Sequence, residues 1–469
     1  MKVLLINAIG KDIKVEPLGL EYLLSSLELS GIEVILVDAT IEGLSEEKFV
    51  NKLRKIYPDV FGISITTMGL MSDLKGLYLA KKACPDAKIV AGGPHPSAVP
   101  IELMESVKDI DFAVIGEGEI TLVELIKSLE NDKDKNLKNV NGIGFRENGT
   151  IKLTQPREQI KNLDSIPIPS RESIDFKKVV AGLPFGRRNP FSIMMTSRGC
   201  PFRCIYCSKS VFGNKYRYRS VENVIEEIEY LVSSGIKEIR FYDDVFTLNQ
   251  KRIMKLCEEM IKRNFDLIWS CEGRVDTVTS DLLREMKRAG CYHISYGVES
   301  GSQKILDRAK KGITVSQTRD AFKITKEVGL EASAYFMFGL PGETKETLKE
   351  TLSLIKDIKP DFISVSPVWI PPETELLEIA KEEKVIENIN WCSFSGSKLS
   401  PITIGSPPQY IPKDLTQKEL ESFTKRFYVW YYLHPIRAYR TLRLIKNPEI
   451  LFRGGKVLLN YLIPLKRNV

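Results

Sequence analysis

Cys200, Cys204 and Cys207 occur in the run Cys200-Pro201-Phe202-Arg203-Cys204-Ile205-Tyr206-Cys207, the most chemically specific stretch of this 469-residue chain. Four thiolates close off a [4Fe–4S] cluster, whereas three leave one iron with an open coordination site. A zinc site competes, but structural zinc takes four ligands in paired C-x₂-C halves, and no partner pair exists here. A disulfide fits less well, because three closely spaced cysteines leave an odd thiol. Cys84, Cys257, Cys271, Cys291 and Cys392 are scattered and read as small core residues.

Four further constellations could bear chemistry. Asp243 and Asp244 form an acid pair between aromatics in Phe241-Tyr242-Asp243-Asp244-Val245-Phe246. Glu272-Gly273-Arg274 offers a guanidinium able to grip a carboxylate through two parallel bonds. Tyr296-Gly297-Val298-Glu299-Ser300-Gly301-Ser302 combines glycines, which admit close backbone approach, with a Glu and Ser able to hydrogen-bond a ribose. Phe336-Met337-Phe338-Gly339-Leu340-Pro341-Gly342-Glu343-Thr344 is a fourth. Taken singly, each has a plainer reading: solvated caps, a surface ion pair, a turn.

The elements that would position these groups can be read from periodicity. Over the first ~130 residues short apolar runs alternate with helical segments. Strands are expected at Val3–Ile6, Val34–Val37, Phe61–Ile65, Lys88–Ala91 and Phe112–Ile115, with a helix from Leu18 to Ser30 ending at Gly31. Continuous apolar strands with helices between them predict a parallel sheet covered on both faces, with ligands beyond the strands' carboxyl ends. Those ends are Asn7–Gly10, Ser64-Ile65-Thr66-Thr67, Gly92-Gly93-Pro94-His95 and Gly116-Glu117-Gly118-Glu119. No GxGxxG comes after the first strand, which disfavours a nicotinamide cofactor. A small hairpin is expected over 141–150, and Ile166-Pro167-Ile168-Pro169-Ser170-Arg171 reads as an extended linker because its prolines forbid helix. From Ser192 the chain runs through six β/α repeats, with strands at 193–196, 238–242, 267–271, 293–298, 332–338 and 362–365. They fit a partial (β/α)₆ barrel better than a closed eight-unit one.

The opening MKVLLINAIG is too short for a secretory h-region, and no stretch reaches the ~18 apolar residues of a membrane span. Eight cysteines in 469 residues are no disulfide framework, so a reducing, cytoplasmic setting is expected. The net charge of +7 is uneven: residues 425–469 hold ten Lys/Arg against Glu449 alone, +9, leaving about −2 elsewhere. Aromatics interleave with these cations (Phe427, Tyr428, Trp430, Tyr431, Tyr432 and Tyr439 among Arg437, Arg440, Arg443 and Lys446). Such a tail suits the inner face of a membrane or a helical cap on the barrel; nucleic acid ranks behind both.

The CxxxCxxC loop, with GVESGS at 297–302 and FGLPGET at 338–344, resembles the radical S-adenosylmethionine (SAM) superfamily. The combination PLGLEYL, AGGPHPSAVP and IGEGEITLVELI resembles the cobalamin-binding domain that precedes the radical SAM domain in one large class. The resemblance covers roughly residues 1–400. It implies an α/β protein: a Rossmann-like cobalamin-binding domain (1–135), a linker (136–190), a radical SAM partial barrel (191–405) and a basic helical region (406–469). It implies a [4Fe–4S] cluster on Cys200, Cys204 and Cys207 whose open iron chelates SAM. An electron from a flavodoxin- or ferredoxin-type donor would then yield a 5′-deoxyadenosyl radical. Asp243 and Asp244 would lie near the SAM methionine or the second cofactor, Arg274 at the SAM carboxylate, Glu299 and Ser300 at the ribose, and Gly339 and Pro341 at the adenine. Cobalamin would rest on Ser64, Thr66, Thr67, Gly92, Gly93, Gly116 and Glu117. No DxHxxG comes after the first strand, so no histidine is expected on cobalt, and His95 is expected to be structural or beside the corrin. The activity implied is methylation of an unactivated carbon of a small molecule or lipid. A radical cyclisation or carbon–carbon bond formation is the alternative, and a non-catalytic cobalamin/Fe–S sensor the alternative of another class. Where the class has PGT, this chain has Pro372-Glu373-Thr374, which leaves the substrate unread.

Overall fold

The structure, a computed structural model, describes residues 1–7, 14–130, 137–179, 186–386 and 410–444. Residues 8–10 of the first strand-end loop, Trp391, Cys392 and the tail beyond 444 lie outside the described residues.

Five parallel strands open the chain: β1 (Lys2–Asn7), β2 (Glu33–Asp38), β3 (Val60–Ser64), β4 (Lys88–Gly92) and β5 (Phe112–Val114). Helices cover both faces, so Val3, Leu4 and Leu5 are each fully buried, as an apolar run without alternation requires. Asp38 ends β2 and caps the next helix through bonds from the Thr40 and Ile41 amides at 2.9 and 2.7 Å. The expected hairpin forms as β6 (Ile143–Glu147) and β7 (Thr150–Leu153), and both strands join this sheet, antiparallel. The sheet order is β2-β1-β3-β4-β5-β6-β7. The first sheet therefore runs past residue 135, and the connector begins only after Leu153. The strand order reverses between β1 and β3, which is where open parallel sheets of this kind bind ligands.

The second sheet has six parallel strands whose spatial order is their chain order: β8 (Phe191–Met194), β11 (Glu238–Phe241), β12 (Ile268–Gly273), β13 (Cys291–Glu299), β14 (Glu331–Phe338) and β15 (Phe362–Pro367). Among the described residues β8 and β15 do not pair, so the barrel stays open. The short β9 (Ser197–Arg198) and β10 (Arg217–Tyr218) pair antiparallel at its edge. Outside the barrel, Ile294, Tyr296 and Val298 of β13 and Ala334, Phe336 and Phe338 of β14 join one apolar core with the surrounding helices. The inward positions are polar, with His293 and Ser295 on β13 and Ser333 on β14, all buried.

The helix Gln417–Tyr432 begins at a capping box made by Thr416 and Glu419. Its buried face holds Phe427, Tyr428 and Tyr431. The Tyr428 hydroxyl accepts from the Val365 amide at 2.7 Å and donates to the Val365 carbonyl at 3.0 Å; Tyr432 repeats this at Ile363 at 3.2 and 2.8 Å. Tyrosines thus occupy the unpaired edge of β15. This part of the tail is a cap on the barrel. Among the described residues no helix is long and apolar enough to cross a membrane.

Candidate active site

The cysteine loop leaves β9 at Gly199, whose φ of +82° and lack of a Cβ are both required: an added Cβ would lie 2.3 Å from the Lys215 carbonyl oxygen. The Gly199 amide donates to Asp244 Oδ2 at 2.9 Å, and Lys209 Nζ donates to the Cys200 carbonyl at 2.9 Å and to that of Phe202. Ile205 ties the loop to the barrel rim, its amide donating to the Ala309 carbonyl at 3.1 Å and its carbonyl accepting from Leu376 at 2.9 Å. Cys200 and Cys204 are half-buried and Cys207 exposed, all free thiols. Burial, then the charges of Asp244 and Cys204, push the Cys200 thiol up. Among the described residues no three His, Cys, Asp or Glu side chains converge as ligands of one metal ion. The three thiols lie on one short loop, as the CxxxCxxC spacing requires.

The rim residues read from the sequence divide into those that hold the loop and those that are engaged elsewhere. Asp243 is buried and accepts from the Thr196 amide at 2.7 Å, the Ser197 hydroxyl at 2.6 Å and the Thr196 hydroxyl. Its oxygens fix the β8–β9 corner. Arg274 is held by the protein around it. Its fork is bidentate to Asp276 at 2.9 and 3.0 Å, it donates to the Lys311 carbonyl at 3.0 Å, and its guanidinium lies 3.4 Å from the centre of the Phe202 ring. It holds the cysteine loop from below. Glu299 sits at φ +64° and pairs with Lys311 Nζ at 2.7 Å. Ser300 is fully buried beside Thr351, at 3.3 Å, and accepts from the Ser302 amide. Gly339, at φ +97°, and buried Pro341 form a turn held by Glu343, which accepts from the Gly339 amide. Leu340 of this turn and Ile205 share one apolar cluster. At Glu373, in place of the expected glycine, φ is +56°, so the loop keeps the left-handed bend that glycine favours.

A cavity of about 170 Å³ opens at the switch point of the first sheet, lined by Ser64, Gly92, Gly93, Gly116 and, from the loop after the cysteines, Val211 and Phe212. An apolar cavity of about 150 Å³ admits benzene, so this one has room for part of a larger ring ligand. Glycines make the room. A Cβ at Gly19 would meet nothing within 4 Å, and one at Gly116 only the Val211 carbonyl at 4.0 Å. These residues fit a cobalamin. Thr66 and Thr67 are not in the lining. Thr66 accepts from the Gly69 amide at 2.9 Å, and Thr67 lies 3.0 Å from His95 Nδ1. Burial takes the His95 imidazole down to about 4.

Glu117 touches the cavity, but its oxygens are engaged by Arg198 (2.8 Å), Arg217 (2.7 Å) and the Ile160 amide (3.0 Å). Arg198, which immediately precedes the cysteine loop, also pairs with Glu119 at 2.6 Å and lies over Tyr22 and Phe212. A second buried knot joins the domains. Arg171 donates to Glu16 and Glu227, each at 2.6 Å, and to the Ile193 carbonyl at 3.0 Å. Arg198, Arg217, Glu16 and Glu227 carry no local motif, and neither do Val211 and Phe212, which line the cavity from the loop after the cysteines.

This assembly of a glycine-lined cavity at the first sheet, a tri-cysteine loop and an open six-stranded barrel has relatives. Residues 194–355 match the model of the Radical SAM superfamily, and residues 6–126 that of the B12 binding domain. The chain is 36% identical over 422 residues to "Uncharacterized methyltransferase PH0819" of Pyrococcus horikoshii, covering 89% of this chain and 88% of that one. It is 33% identical to the anaerobic magnesium-protoporphyrin IX monomethyl ester cyclase of Cereibacter sphaeroides, over 86% of this chain and 65% of the cyclase. The solved structure of OxsB, a cobalamin-dependent SAM radical enzyme with aqua-cobalamin and SAM bound, superposes with a TM-score of 0.75 at 20% identity, over 98% of this chain and 71% of OxsB. Fold, both domain models and a relative matched over nearly nine-tenths of its length agree: the chain belongs to the cobalamin-binding radical SAM enzymes, whose cofactors are a [4Fe–4S] cluster, SAM and cobalamin.

Proposed function

We propose that this enzyme methylates an unactivated carbon, with Cys200, Cys204 and Cys207 holding the cluster and Ser64, Gly92, Gly93 and Gly116 cradling cobalamin. The observation that carries this is the shared wall: Val211 and Phe212, soon after the cysteines, line the cavity of the first sheet, and beside them the Cys200 amide donates to the Gly213 carbonyl at 3.4 Å. When bound, cluster and SAM supply a hydrogen-abstracting 5′-deoxyadenosyl radical and cobalamin a transferable methyl group. The chain's own residues orient these groups. Arg274 and Phe202 set the height of the loop, Asp244 and Lys209 its curvature, and the turn from Gly339 to Pro341 offers a platform for adenine. Identity to the cyclase at 33% favours, as a second reading, radical carbon–carbon bond formation with the same cofactors.

The test is anaerobic reconstitution of the full chain with iron, sulfide, cobalamin, reductant and SAM carrying a CD₃ group. Transfer of CD₃ to a product, seen as a mass gain, supports methylation; deoxyadenosine without CD₃ transfer supports the second reading. Cys200→Ala, Cys204→Ala or Cys207→Ala is expected to abolish iron binding and SAM cleavage, whereas Cys257→Ala, in the core, leaves iron content unchanged. Bound cob(II)alamin is expected to show no nitrogen hyperfine triplet from a protein imidazole.

A further inference from the structure

The mouth of the barrel carries polar side chains to which the cofactor contacts proposed above assign no role. Toward the carboxyl ends of the strands, half-buried residues alternate with buried ones: Glu272 on β12, Tyr335 and Met337 on β14, Ser366 on β15. These share the inward face, since Phe362, in phase with Ser366, lies 6.0 Å from the inward ring of His293. Tyr242, 39% exposed, joins them just beyond β11. Beneath lies Arg240, almost fully buried, which donates through Nη2 to Glu272 Oε1 at 2.7 Å and to the Tyr335 hydroxyl at 3.3 Å, its guanidinium 5.2 Å from the centre of the Tyr242 ring. Below that, His293 Nε2 is shared by Ser333 at 2.9 Å and Ser295 at 3.4 Å.

The Glu272 side chain stays 37% exposed although it faces a concave mouth, and Arg240 engages only one of its oxygens. A hydrocarbon placed here would strip water from that carboxylate and return no hydrogen bond, which is unfavourable. A hydroxyl or amine would replace the lost water with a charge-assisted bond. We infer that the barrel mouth takes a polar substrate, hydroxylated or aminated, whose O–H or N–H donates to Glu272 while the hydroxyls of Tyr242 and Tyr335 bracket it. That contact selects which carbon faces the cysteine loop. The inference rests on the barrel being the reaction chamber of a radical SAM enzyme, and it names the substrate class within that reading.

The hydrogen atom taken from substrate ends on the 5′ carbon of deoxyadenosine, which provides the readout. The reconstituted full-length enzyme is given SAM, reductant and either the aqueous or the chloroform extract of source cells grown in deuterium oxide. Deoxyadenosine heavier by one deuterium is expected from the aqueous extract, and its labelled share is expected to fall about tenfold or more in Glu272→Gln, the loss of one charged hydrogen bond. Tyr335→Phe, which keeps the ring's packing, is expected to lower that share by a smaller factor, so the result does not hang on one variant's folding. Label from the chloroform extract, label from neither, or a share unchanged in both variants overturns the inference. No deoxyadenosine at all from the wild-type enzyme overturns the underlying reading, and this one with it.

Discussion

Single side chains here take roles that their identity did not announce. Asp243 and Arg274 sit in motifs whose spacing pointed at cofactor, and the structure adds what that spacing did not encode: Asp243 accepts from Thr196 and Ser197, and Arg274 grips Asp276. The cysteines were legible, since three thiols at fixed spacing have few other uses, whereas Glu272 was legible only as part of a pattern, and its pairing with Arg240 from the neighbouring strand was not. Glu343 offers a test at this scale. It is fully buried, and burial pushes its carboxyl up to about 8. A folded-state pKa above the unfolded one stabilises the fold below the unfolded value, near 4.5, and that contribution is lost as pH rises through 8. Glu343→Gln stays neutral throughout and can still accept from the Gly339 amide. Its melting temperature relative to the wild type is therefore expected to climb between about pH 5 and 8, by the equivalent of ~1–3 kcal/mol, as followed by thermal melts across that range.

At the scale of elements, the parallel strands of both sheets could be read from sequence, because strands buried on both faces leave apolar runs bounded by helix caps. Two features left no such trace. The strands β9 and β10 are two residues each, too short for any periodicity, yet their corner launches the cysteine loop. The helix Gln417–Tyr432 interleaves aromatics with cations in a way that matches a membrane surface or a barrel cap equally well; only the tyrosine bonds to the β15 edge decide it. Removing those bonds has a measurable cost. Tyr428→Phe loses two hydrogen bonds to Val365, about 1–2 kcal/mol, visible as a lower denaturation midpoint with an unchanged slope. Gly199→Ala meets both a left-handed φ and the Lys215 carbonyl, so reconstituted iron per chain is expected to fall well below the wild type while the melting temperature drops only modestly.

On the scale of the whole molecule, the two domains are riveted through buried charge. Arg171 was foreseen only as the last residue of a proline-rich connector; that it would meet Glu16 from one side and Glu227 from the other depends on contacts 155 and 56 residues away, which no local pattern encodes. Arg171→Ala would leave Glu16 buried without its cation and Glu227 with Arg219 alone, a loss of about 3–5 kcal/mol. Calorimetry is expected to show one unfolding peak for the wild type and two for the variant, as the barrel and the first sheet part company. The Val211-Phe212 wall has a last consequence. Any ligand that settles against it restrains the same segment that the cysteine loop needs restrained, so part of the ordering entropy is paid once for both guests. Thermodynamic reciprocity then demands a symmetrical preference: the factor by which iron–sulfur loading tightens corrinoid affinity must equal the factor by which the corrinoid protects the metal from a chelator. Measured separately, by cobalamin titration with and without iron and by chelator competition with and without cobalamin, the two factors should coincide, and the enzyme would assemble as a cooperative unit whichever guest arrives first.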